Sequence, residues 1–559
     1  MPSLRDWCLP DCGAGACPLW DWSVRLPARL ALAALWGWRV PYCGTGACRT
    51  VGLARERASL PDWRVPHCGV ARSRVSEAAR NRVSEAAESS LRGQVGLSPV
   101  SDVRTNCMLR LLVSLLFFTG VAGVSDARDL VFTNVNVVSM EKEEVLPQRD
   151  VLIHHGIIRS IEAHVSKGRW PAGTIVVDGS GKYLLPGLAD MHVHMGFGDE
   201  EQLKLYVVNG VTTVLNLSGT PNLLEWKARI AAGELLGPTF YTTGPIIDGD
   251  PPTNNTHVVV RNRGEAEREV DAQVRLGYDF IKPYSALSRE GYEGIVDAAR
   301  RNKIRLVGHV AWSVGVQGTI DANQDAIAHV EELYRYFVDR HRKPPPDTQP
   351  DPAKIPVLAR ELADHHTWVI TTLSANANIL KQATNLSALL ESPDMQFIPK
   401  FYLDDCRKDD PYANRGSDWV LQNKIMVPFL FKIAAGLKAA SVTMMAGTDA
   451  TNPMQVPGSS LHDELAELVE AGLSPYEALV TSTRNPAVFL GRSGETGTVA
   501  PGKIADLVLL EANPLEQITN TRKIAGVIVR GQWLDAAELG RMKRELVEHF
   551  AREESDPAN

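Results

Sequence analysis

The chain has 559 residues, of which 44% are hydrophobic and 22% charged, and its formal net charge is −7. These proportions are those of a globular protein, and they exclude a disordered chain, a collagen-like repeat and a membrane protein with many spans. The acidic balance offers no basic surface for nucleic acid, so we expect a small-molecule partner. At about 100 to 200 residues per domain, the length suits one large catalytic domain with smaller additions.

The composition changes sharply near residue 107. Residues 1–107 hold seven of the eight cysteines, six of the twelve tryptophans and no lysine. Near-repeats such as WRVPYCGTGACRT and WRVPHCGV have no helical or strand period that could bury a face. One interpretation is a small disulfide or metal module, although an odd number of cysteines leaves one unpaired. We favour the other, in which residues 1–107 are a non-native or disordered upstream extension.

A signal peptide is predicted at residues 108–127. Met108 is followed by a mostly apolar run at 111–124, LLVSLLFFTGVAGV, and then by small and polar residues. This run is shorter than the roughly 20 residues of a membrane span and suits the hydrophobic region of a signal peptide. The alternative is a buried core helix. If translation starts at Met108 and the peptide is cleaved, the protein is secreted or periplasmic.

The segments on either side of the chain's centre are predicted to share one small β domain. Residues 128–186 contain β-rich runs broken at Gly156 and at 179–181, which is typical of an antiparallel sheet. Residues 492–540 return to the same β character, so we expect the two flanks to complete one composite β-sandwich. Residues 541–559 are predicted as a C-terminal helix or tail.

The central segment, residues 187–491, is predicted to be a (β/α)8 TIM barrel of the α/β class. Its clearest unit is a strand at 278–284, a helix with apolar residues at i, i+3, i+4 and i+7 from Tyr292, and a strand at 304–310. The predicted strands begin at Gly187 and continue at 212–217, 238–244, 278–284, 304–310, 326–332, 368–373 and 442–450. Eight strands alternating with helices favour a closed barrel over an open doubly wound sheet, and no glycine-rich phosphate motif is present.

A pair of histidines ends the first barrel strand. His192 and His194 flank Val193, and because strand side chains alternate, both imidazoles project to one face while Val193 faces away. Two imidazoles on one face are able to share a metal ion. The motif is weak alone, since such a triplet also occurs as a core or surface pair.

Four further ligand-type residues end other predicted strands: Lys282, His309, His329 and Asp449. Any one of these histidines or this aspartate would equally serve as a satisfied core or capping residue, but in a barrel the strand ends converge on one pocket. A lysine directly after an apolar strand gains nothing from burial, so we expect a function for it. Imidazole and oxygen ligands suit Zn²⁺, with Mn²⁺, Co²⁺ or Fe²⁺ as substitutes.

With the segments LPGLADMHVH, GHV, AGTDA and NPAVFLG, these residues resemble the amidohydrolase superfamily, over roughly residues 129 to 537. The branch that includes imidazolonepropionase-like and prolidase-like enzymes is the more similar part of it. The resemblance implies that Lys282 is carbamylated and bridges two divalent ions. It also implies that His192, His194 and Asp449 hold the first ion, and that His309 and His329 hold the second.

The reaction that the resemblance implies is amide-type C–N hydrolysis by attack of a metal-bridging hydroxide. Asp449 would take the proton of the attacking water and pass it to the departing nitrogen. The expected substrate is a dipeptide, an N-acyl amino acid or a cyclic amide. The expected partners are this small molecule and, at most, further copies of the chain, with no nucleic acid and no membrane anchor after signal cleavage.

Substrate contacts are predicted at Tyr284 and His257. Tyr284 lies two residues beyond Lys282 on the same strand face, and the alternative role of its ring is packing. His257 lies in the loop after the third strand, where prolidase-like enzymes often have a GGHG-like stretch, and the alternative is a solvated loop histidine. Glu331 is a candidate acceptor for a ligand imidazole. His462 is a weaker pocket candidate.

Three other hypotheses stay open. A mononuclear imidazolonepropionase-like hydrolase or deaminase would act on a ring C–N bond, and Lys282 discriminates because one metal needs no bridging carbamate. An inactive, metal-stabilised binding protein would bind its ligand without turnover. In the third hypothesis, the cysteine-rich residues 1–107 are the functional unit and the barrel is their scaffold. Expression of residues 128–559 alone would test this hypothesis.

Overall fold

The computed structural model of the chain describes residues 129–338, 345–413, 415–452 and 454–552. The upstream extension predicted at 1–107 and the signal peptide predicted at 108–127 lie outside these residues and stay predictions. The described strands are β1 (Leu130–Val137), β2 (Leu146–His154), β3 (Ile157–Ala163), β4 (Ile175–Asp178), β5 (Tyr183–Pro186), β6 (Leu188–Val193), β7 (Val211–Asn216), β8 (Thr239–Thr242), β9 (Ile247–Asp248), β10 (Val258–Val259), β11 (Phe280–Ile281), β12 (Arg305–Gly308), β13 (Ala326–Ala328), β14 (Trp368–Ile370), β15 (Met444–Met445), β16 (Leu507–Leu510), β17 (Ile524–Val529) and β18 (Gln532–Asp535).

Helices follow most strands of the central segment. The described α-helices are α1 (Gln202–Val208), α2 (Pro221–Ala231), α3 (Arg263–Leu276), α4 (Arg289–Asn302), α5 (Gly315–Asp321), α6 (Val330–Tyr334), α7 (Ile355–Asp364), α8 (Leu373–Leu390), α9 (Lys400–Asp409), α10 (Ser417–Ala439), α11 (Ser459–Glu470), α12 (Pro475–Thr481), α13 (Arg484–Phe489) and α14 (Ala536–Arg552). Short 3-10 helices cover Pro352–Lys354, Pro393–Phe397 and Ile518–Arg522.

Both flanks of the central segment contribute to one eight-stranded sheet, in the order β18-β17-β16-β5-β1-β2-β3 with β4 paired to β1. Strand β5 joins the halves, because Leu184 lies beside Val137 of β1 and Leu509 of β16. β1, β2 and β3 pair antiparallel as predicted, whereas β4 and β5 run parallel to β1. The flanks therefore combine as expected, but they hydrogen-bond as a single sheet, and the two-layer sandwich is not confirmed.

The central segment has a TIM-barrel-like α/β arrangement. Its parallel strands form a three-stranded sheet, β6-β7-β8, and a five-stranded sheet, β11-β12-β13-β14-β15. Isolated parallel bridges, Thr243 to Phe280 and Val193 to Ala450, lie between the edges of the two sheets. The ladder is interrupted at these edges because β11 and β15 have only two residues each. The predicted closed barrel is thus replaced by two parallel sheets joined through single bridges.

Two predicted strands are too long. The strand predicted at 326–332 ends at Ala328, and the strand predicted at 442–450 covers only Met444–Met445. The first strand ends directly before His329, which has a φ of 78°, and the second predicted range includes Asp449, which has a φ of 60°. A positive φ is uncommon for residues other than glycine and ends the extended backbone that a ladder requires.

The amphipathic helix predicted after the fourth strand is confirmed as α4. Its apolar residues Tyr292, Ile295, Val296 and Ala299 are buried. Ser288 begins the helix, its side chain accepting a hydrogen bond from the Gly291 N–H. Between β14 and β15, by contrast, the chain inserts the helices α8, α9 and α10, which the strand–helix pattern does not predict.

Helix α10 is the one helix in the described parts of the chain that is long and apolar enough, by length and composition, to cross a membrane. Its residues Leu430, Ile433 and Leu437 are buried in the main hydrophobic core. Gly436 allows a close approach to α7, because a Cβ atom there would lie 2.1 Å from Cγ2 of Ile355.

Helix α11 carries a buried carboxyl group that should destabilise the fold at high pH. Oε2 of Glu467 is buried and has no hydrogen-bond partner in the described part of the chain. Burial and the charge of Glu464 raise the pKa of Glu467 from 4.5 to about 9. Because the folded-state pKa lies above the unfolded one, stability falls as the pH rises from the lower value towards the higher.

Glu467→Gln is therefore expected to raise the melting temperature by a few degrees at about pH 8 and to have a much smaller effect at about pH 5. Thermal melts of both chains at the two pH values measure this. Glu470→Gln, on the exposed side of α11, is the matched control and should have little effect at either pH. An equal shift of the Glu467 variant at both values would contradict the assignment.

Candidate metal centre

The first barrel strand and the residues after β15 bring two imidazoles to one carboxylate. The side chains of His192 and His194 are 0% and 14% exposed, and their Nε2 atoms lie 3.2 and 3.0 Å from Oδ1 of Asp449. Val193 separates them along the strand and packs into the core, as the alternation predicts. The other carboxylate oxygen, Oδ2, accepts a hydrogen bond of 3.1 Å from the Asn452 side-chain amide. The orientation of the Asp449 carboxylate is thus fixed from both sides.

Two residues around this pair allow the strands to approach. Gly447 lies directly against His192, since a Cβ atom there would be 2.7 Å from Cβ of His192 and 2.6 Å from Cγ2 of Ile370. Asp190, fully buried on β6, accepts hydrogen bonds from the backbone N–H and the hydroxyl of Thr448. Asp190 is not among the predicted site residues. Its spacing of two residues from His192 would have predicted it, because alternate residues of a strand share one face.

Lys282 lies just after β11 and is 1% exposed. Its Nζ atom is 3.2 Å from Nε2 of His192, and no carboxylate oxygen of the described residues lies within 4.0 Å of it. Burial lowers the pKa of Lys282 to about 8, although the charges of Asp449 and Glu332 oppose this shift. A buried ammonium without a contacting anion is unfavourable, so the neutral amine is more accessible near neutral pH than it is in an exposed lysine.

His309 and His329 complete the group of ligand-type residues. The His329 ring centroid lies 4.4 Å from that of His192 and 4.9 Å from that of His309. Nδ1 of His329 is 2.8 Å from the Thr372 hydroxyl, and Nδ1 of His309 is 3.0 Å from the Ser285 hydroxyl. The structure therefore brings all six predicted residues into one cluster.

The carboxylate that contacts His309 is that of Glu332, and the role predicted for Glu331 stays a prediction. The Glu332 carboxylate is buried, with Oε1 lying 3.2 Å from Nδ1 of His309 and Oε2 lying 3.0 Å from Nε of Arg335. The sequence does not predict this contact, because the run at 326–332 indicates a strand, in which Glu331 shares the face of His329. In the helix that begins at Val330, Glu332 lies on the side of His329, because it follows that residue by three positions.

A carboxylate on the remote nitrogen of a metal-binding histidine fixes the ring and makes it a stronger ligand. Glu332→Gln is therefore expected to weaken the affinity for a metal ion held by His309 by about 10- to 100-fold. Competition titration with a chromogenic chelator measures the change. Glu331→Gln, one residue away on the same helix, is the control and should bind metal like the wild type; equal losses in both variants would contradict the role of Glu332.

The donor set fits a divalent metal ion. Burial lowers the pKa of His192, His194 and His309, and lowers that of His329 to about 3, so these imidazoles keep a lone pair for a metal at neutral pH. One ligand atom each from His192, His329 and Asp449 lie within 4.8 Å of one another. Neutral imidazoles with a carboxylate are the ligands that Zn²⁺ and similar ions prefer.

The rings of Tyr284 and His257, the two predicted substrate contacts, lie next to each other beside the cluster. The Tyr284 ring is centred 3.9 Å from the His309 ring, and the His257 ring 4.6 Å from that of Tyr284. Burial raises the pKa of the Tyr284 hydroxyl well above its usual value, and nearby carboxylates add to the shift, so it remains a hydrogen-bond donor. His462, by contrast, is buried between the Thr521 hydroxyl and the Asn209 carbonyl, away from the cluster.

Comparisons with known proteins point to one enzyme family. The model of the amidohydrolase family matches residues 183–534. A dihydroorotase of Thermoanaerobacter sp. strain X514 is 37% identical over 167 residues, but the match covers only 29% of this chain and 30% of that enzyme. An imidazolonepropionase of Thermoplasma acidophilum is 22% identical over 397 residues, which cover 67% of this chain and 85% of that enzyme. The crystal structure of a Xaa-Pro dipeptidase with bound methionine shares the fold, with a TM-score of 0.57 and 19% identity over 73% of this chain and 100% of that one.

Proposed function

Because the chain belongs to the amidohydrolase family, hydrolases that act on carbon–nitrogen bonds, we propose that it is a metal-dependent enzyme for an amide-type bond in a dipeptide, an N-acyl amino acid or a cyclic amide. The observation that carries this proposal is the convergence of the Asp449 carboxylate with the buried imidazoles of His192 and His194. The imidazolonepropionase and dihydroorotase similarities are compatible with a cyclic amide, and the likeness to the dipeptidase in fold is compatible with a dipeptide.

The proposed centre would hold two divalent ions. Zn²⁺ is the ion that suits its imidazole and carboxylate ligands best. One ion would be held by His192, His194 and Asp449, and the other by His309 and His329. A carbamylated Lys282 would be a ligand of both ions. When bound, the ions supply an activated water and polarise the scissile carbonyl group. The proton transfer and the substrate contacts are carried out by side chains of the protein.

The surroundings of Lys282 support its carbamylation. A neutral amine nitrogen attacks the carbon of carbon dioxide, so that a C–N bond forms while one C=O π bond breaks to give a negatively charged oxygen. The nitrogen then loses one proton to water, and a carbamate anion results. The product would replace a buried amine that no carboxylate contacts with an anionic oxygen ligand beside His192. A lysine that stays charged at this place would repel metal ions.

Asp449 is the proposed proton carrier. Burial raises the pKa of Asp449, but the hydrogen bond with His194 and the charge of His329 outweigh burial and lower it well below its usual range. The group is thus a carboxylate that accepts the proton of the attacking water. As the C–N bond breaks, Asp449 returns this proton to the departing nitrogen.

Tyr284 and His257 are the proposed substrate contacts. The Tyr284 ring lies beside the His309 ring, and its protonated hydroxyl is suited to donate a hydrogen bond to the carbonyl oxygen as charge develops on it. His257 lies farther out, and its proposed role is to bind a part of the substrate that does not react.

The mononuclear alternative has one supporting observation, since His192, His329 and Asp449 have ligand atoms close enough for a single ion. The test of the proposed function is an assay of the full-length chain, loaded with Zn²⁺ or Mn²⁺, on dipeptides, N-acyl amino acids and lactams. We expect amine release or ring opening with at least one class, loss after chelation and recovery with metal. Binding without turnover for every class would instead favour the inactive binding protein.

A further inference from the structure

Helix α8 is preceded by a threonine that does not cap it. Thr372 is buried and has a φ of 48°, in the left-handed region that a β-branched residue rarely adopts. A threonine at this position usually accepts a hydrogen bond from an N–H group of the first turn. Within the described residues, the Thr372 side chain makes no such bond, and its hydroxyl lies 2.8 Å from Nδ1 of His329. The hydroxyl therefore serves a candidate metal ligand rather than the helix.

A carboxylate of another helix caps the start of α8 instead. Glu464 lies on α11 and is fully buried. Its Oε2 atom accepts a hydrogen bond of 2.7 Å from the N–H of Ser374, in the first turn of α8, and its Oε1 atom accepts one from the Thr371 hydroxyl. A carboxylate at this place also interacts favourably with the positive end of the helix dipole. Glu464 thus contacts the chain on both sides of Thr372.

These contacts support an unfavourable backbone conformation. A positive φ at a residue other than glycine persists only where the surrounding structure holds it. The backbone of Thr371 is fixed to two neighbouring elements, because its N–H donates to the Met445 carbonyl at 3.0 Å and its carbonyl accepts from the Val330 N–H at 3.2 Å. The two contacts of Glu464 add side-chain support on either side of Thr372. The direction of the Thr372 hydroxyl therefore depends on Glu464.

The hydrogen bond at Nδ1 decides which nitrogen of His329 is left for a metal ion. With Nδ1–H donating to the Thr372 hydroxyl, the lone pair is on Nε2. A partner on the remote nitrogen of a metal-binding histidine fixes its ring, and losing that partner typically costs about 10- to 100-fold in metal affinity. Without Glu464, the Ser374 N–H would be a buried donor that lacks its acceptor, and the Thr372 hydroxyl is in the usual position to replace it. His329 would then lose its partner.

We propose that Glu464 is a positioning residue that caps α8 in place of Thr372, so that the Thr372 hydroxyl orients the His329 imidazole for a divalent metal ion. The inference rests on the metal centre of the proposed function. It does not rest on the proposed reaction, because metal affinity is measurable without turnover.

The test measures the Zn²⁺ affinity of the full-length chain by competition with a chromogenic chelator. Thr372→Val removes the hydroxyl and keeps the shape of the side chain, so it should weaken binding by about 10- to 100-fold. Thr372→Ser keeps the hydroxyl and should stay within about threefold of the wild type. Glu464→Leu removes both capping oxygens and should weaken binding by about tenfold or more, whereas Glu464→Gln keeps an oxygen for the Ser374 N–H and should bind like the wild type.

A double variant distinguishes positioning from a merely structural role. If Glu464 acts through Thr372, Glu464→Leu combined with Thr372→Val should bind Zn²⁺ at most about twofold more weakly than Thr372→Val alone. Independent effects would multiply and overturn the inference. Thr367→Val is the matched control, because Thr367 is a buried residue directly before β14 whose hydroxyl has no hydrogen-bond partner in the described part of the chain. It should bind Zn²⁺ like the wild type.

Thr372→Val tests the proposal even if Glu464→Leu does not fold. Wild-type affinity in Thr372→Val overturns the inference, and so does an equal loss in Thr367→Val. If the wild type hydrolyses no compound of the panel but the affinities behave as expected, the proposed reaction fails and the positioning role stands. If it hydrolyses a substrate while Thr372→Val and Glu464→Leu bind Zn²⁺ as tightly as it does, the hydrolase stands and the inference fails. A wild type that binds no Zn²⁺ overturns both.

Discussion

Asp449→Asn is expected to lower kcat by about 10³-fold or more, because an amide can neither take the proton of the attacking water nor return it to the leaving nitrogen. The substitution keeps the volume of the side chain and its contact with Asn452, so the fold should persist. Steady-state kinetics on the best substrate of the panel measure the loss. Metal content, measured on the same preparation, separates loss of the proton carrier from loss of a ligand.

Asp463→Asn is the matched control for this experiment. Asp463 lies on α11, exposed and paired with Arg522, and its removal should leave kcat within about twofold of the wild type. An Asp449→Asn enzyme that holds its metal and keeps most of its activity would refute the role of Asp449 as proton carrier.

Lys282→Met is expected to reduce the metal content from two ions per chain to one or none, and to lower kcat/KM by about 10²- to 10⁴-fold. Methionine fills the buried space of the lysine but forms no carbamate. Metal analysis of dialysed protein gives the number of ions. Carbon-13 NMR after incubation with labelled carbon dioxide should show a carbamate signal in the wild type that the variant lacks.

Lys227→Met serves as the control, because Lys227 is partly exposed and paired with Asp279. It should keep the carbamate signal, the metal content and the activity. One ion per chain in both the wild type and Lys282→Met, with unchanged turnover, would instead establish the mononuclear alternative.

The six clustered residues could be predicted from the sequence because their positions follow from simple periodicity. His192 and His194 alternate along one strand, and each of the other four follows an apolar run that reads as a strand. Since parallel strands place their carboxyl ends together, order along the chain was sufficient to bring these residues to one site. Exact strand lengths were not needed for this inference.

The supporting residues could not be predicted in the same way, because their roles depend on local backbone geometry. The positive φ of His329 ends β13, and the helix that follows brings Glu332 to His309. Asn452 lies outside the described helices and strands, where no period relates one side chain to another. The interrupted barrel could not be predicted either, because the sequence does not show that β11 and β15 have only two residues each.

The pairing of β5 with β16 has a consequence for biosynthesis. The ribosome releases β5 long before it makes Leu507, so the nascent chain carries an unpaired strand edge while the whole metal centre is being synthesised. Such edges are templates for association with other chains, and pairings between distant segments form slowly. A premature stop before Leu507 would thus yield an aggregating product rather than a smaller enzyme, even though every proposed metal ligand would be present.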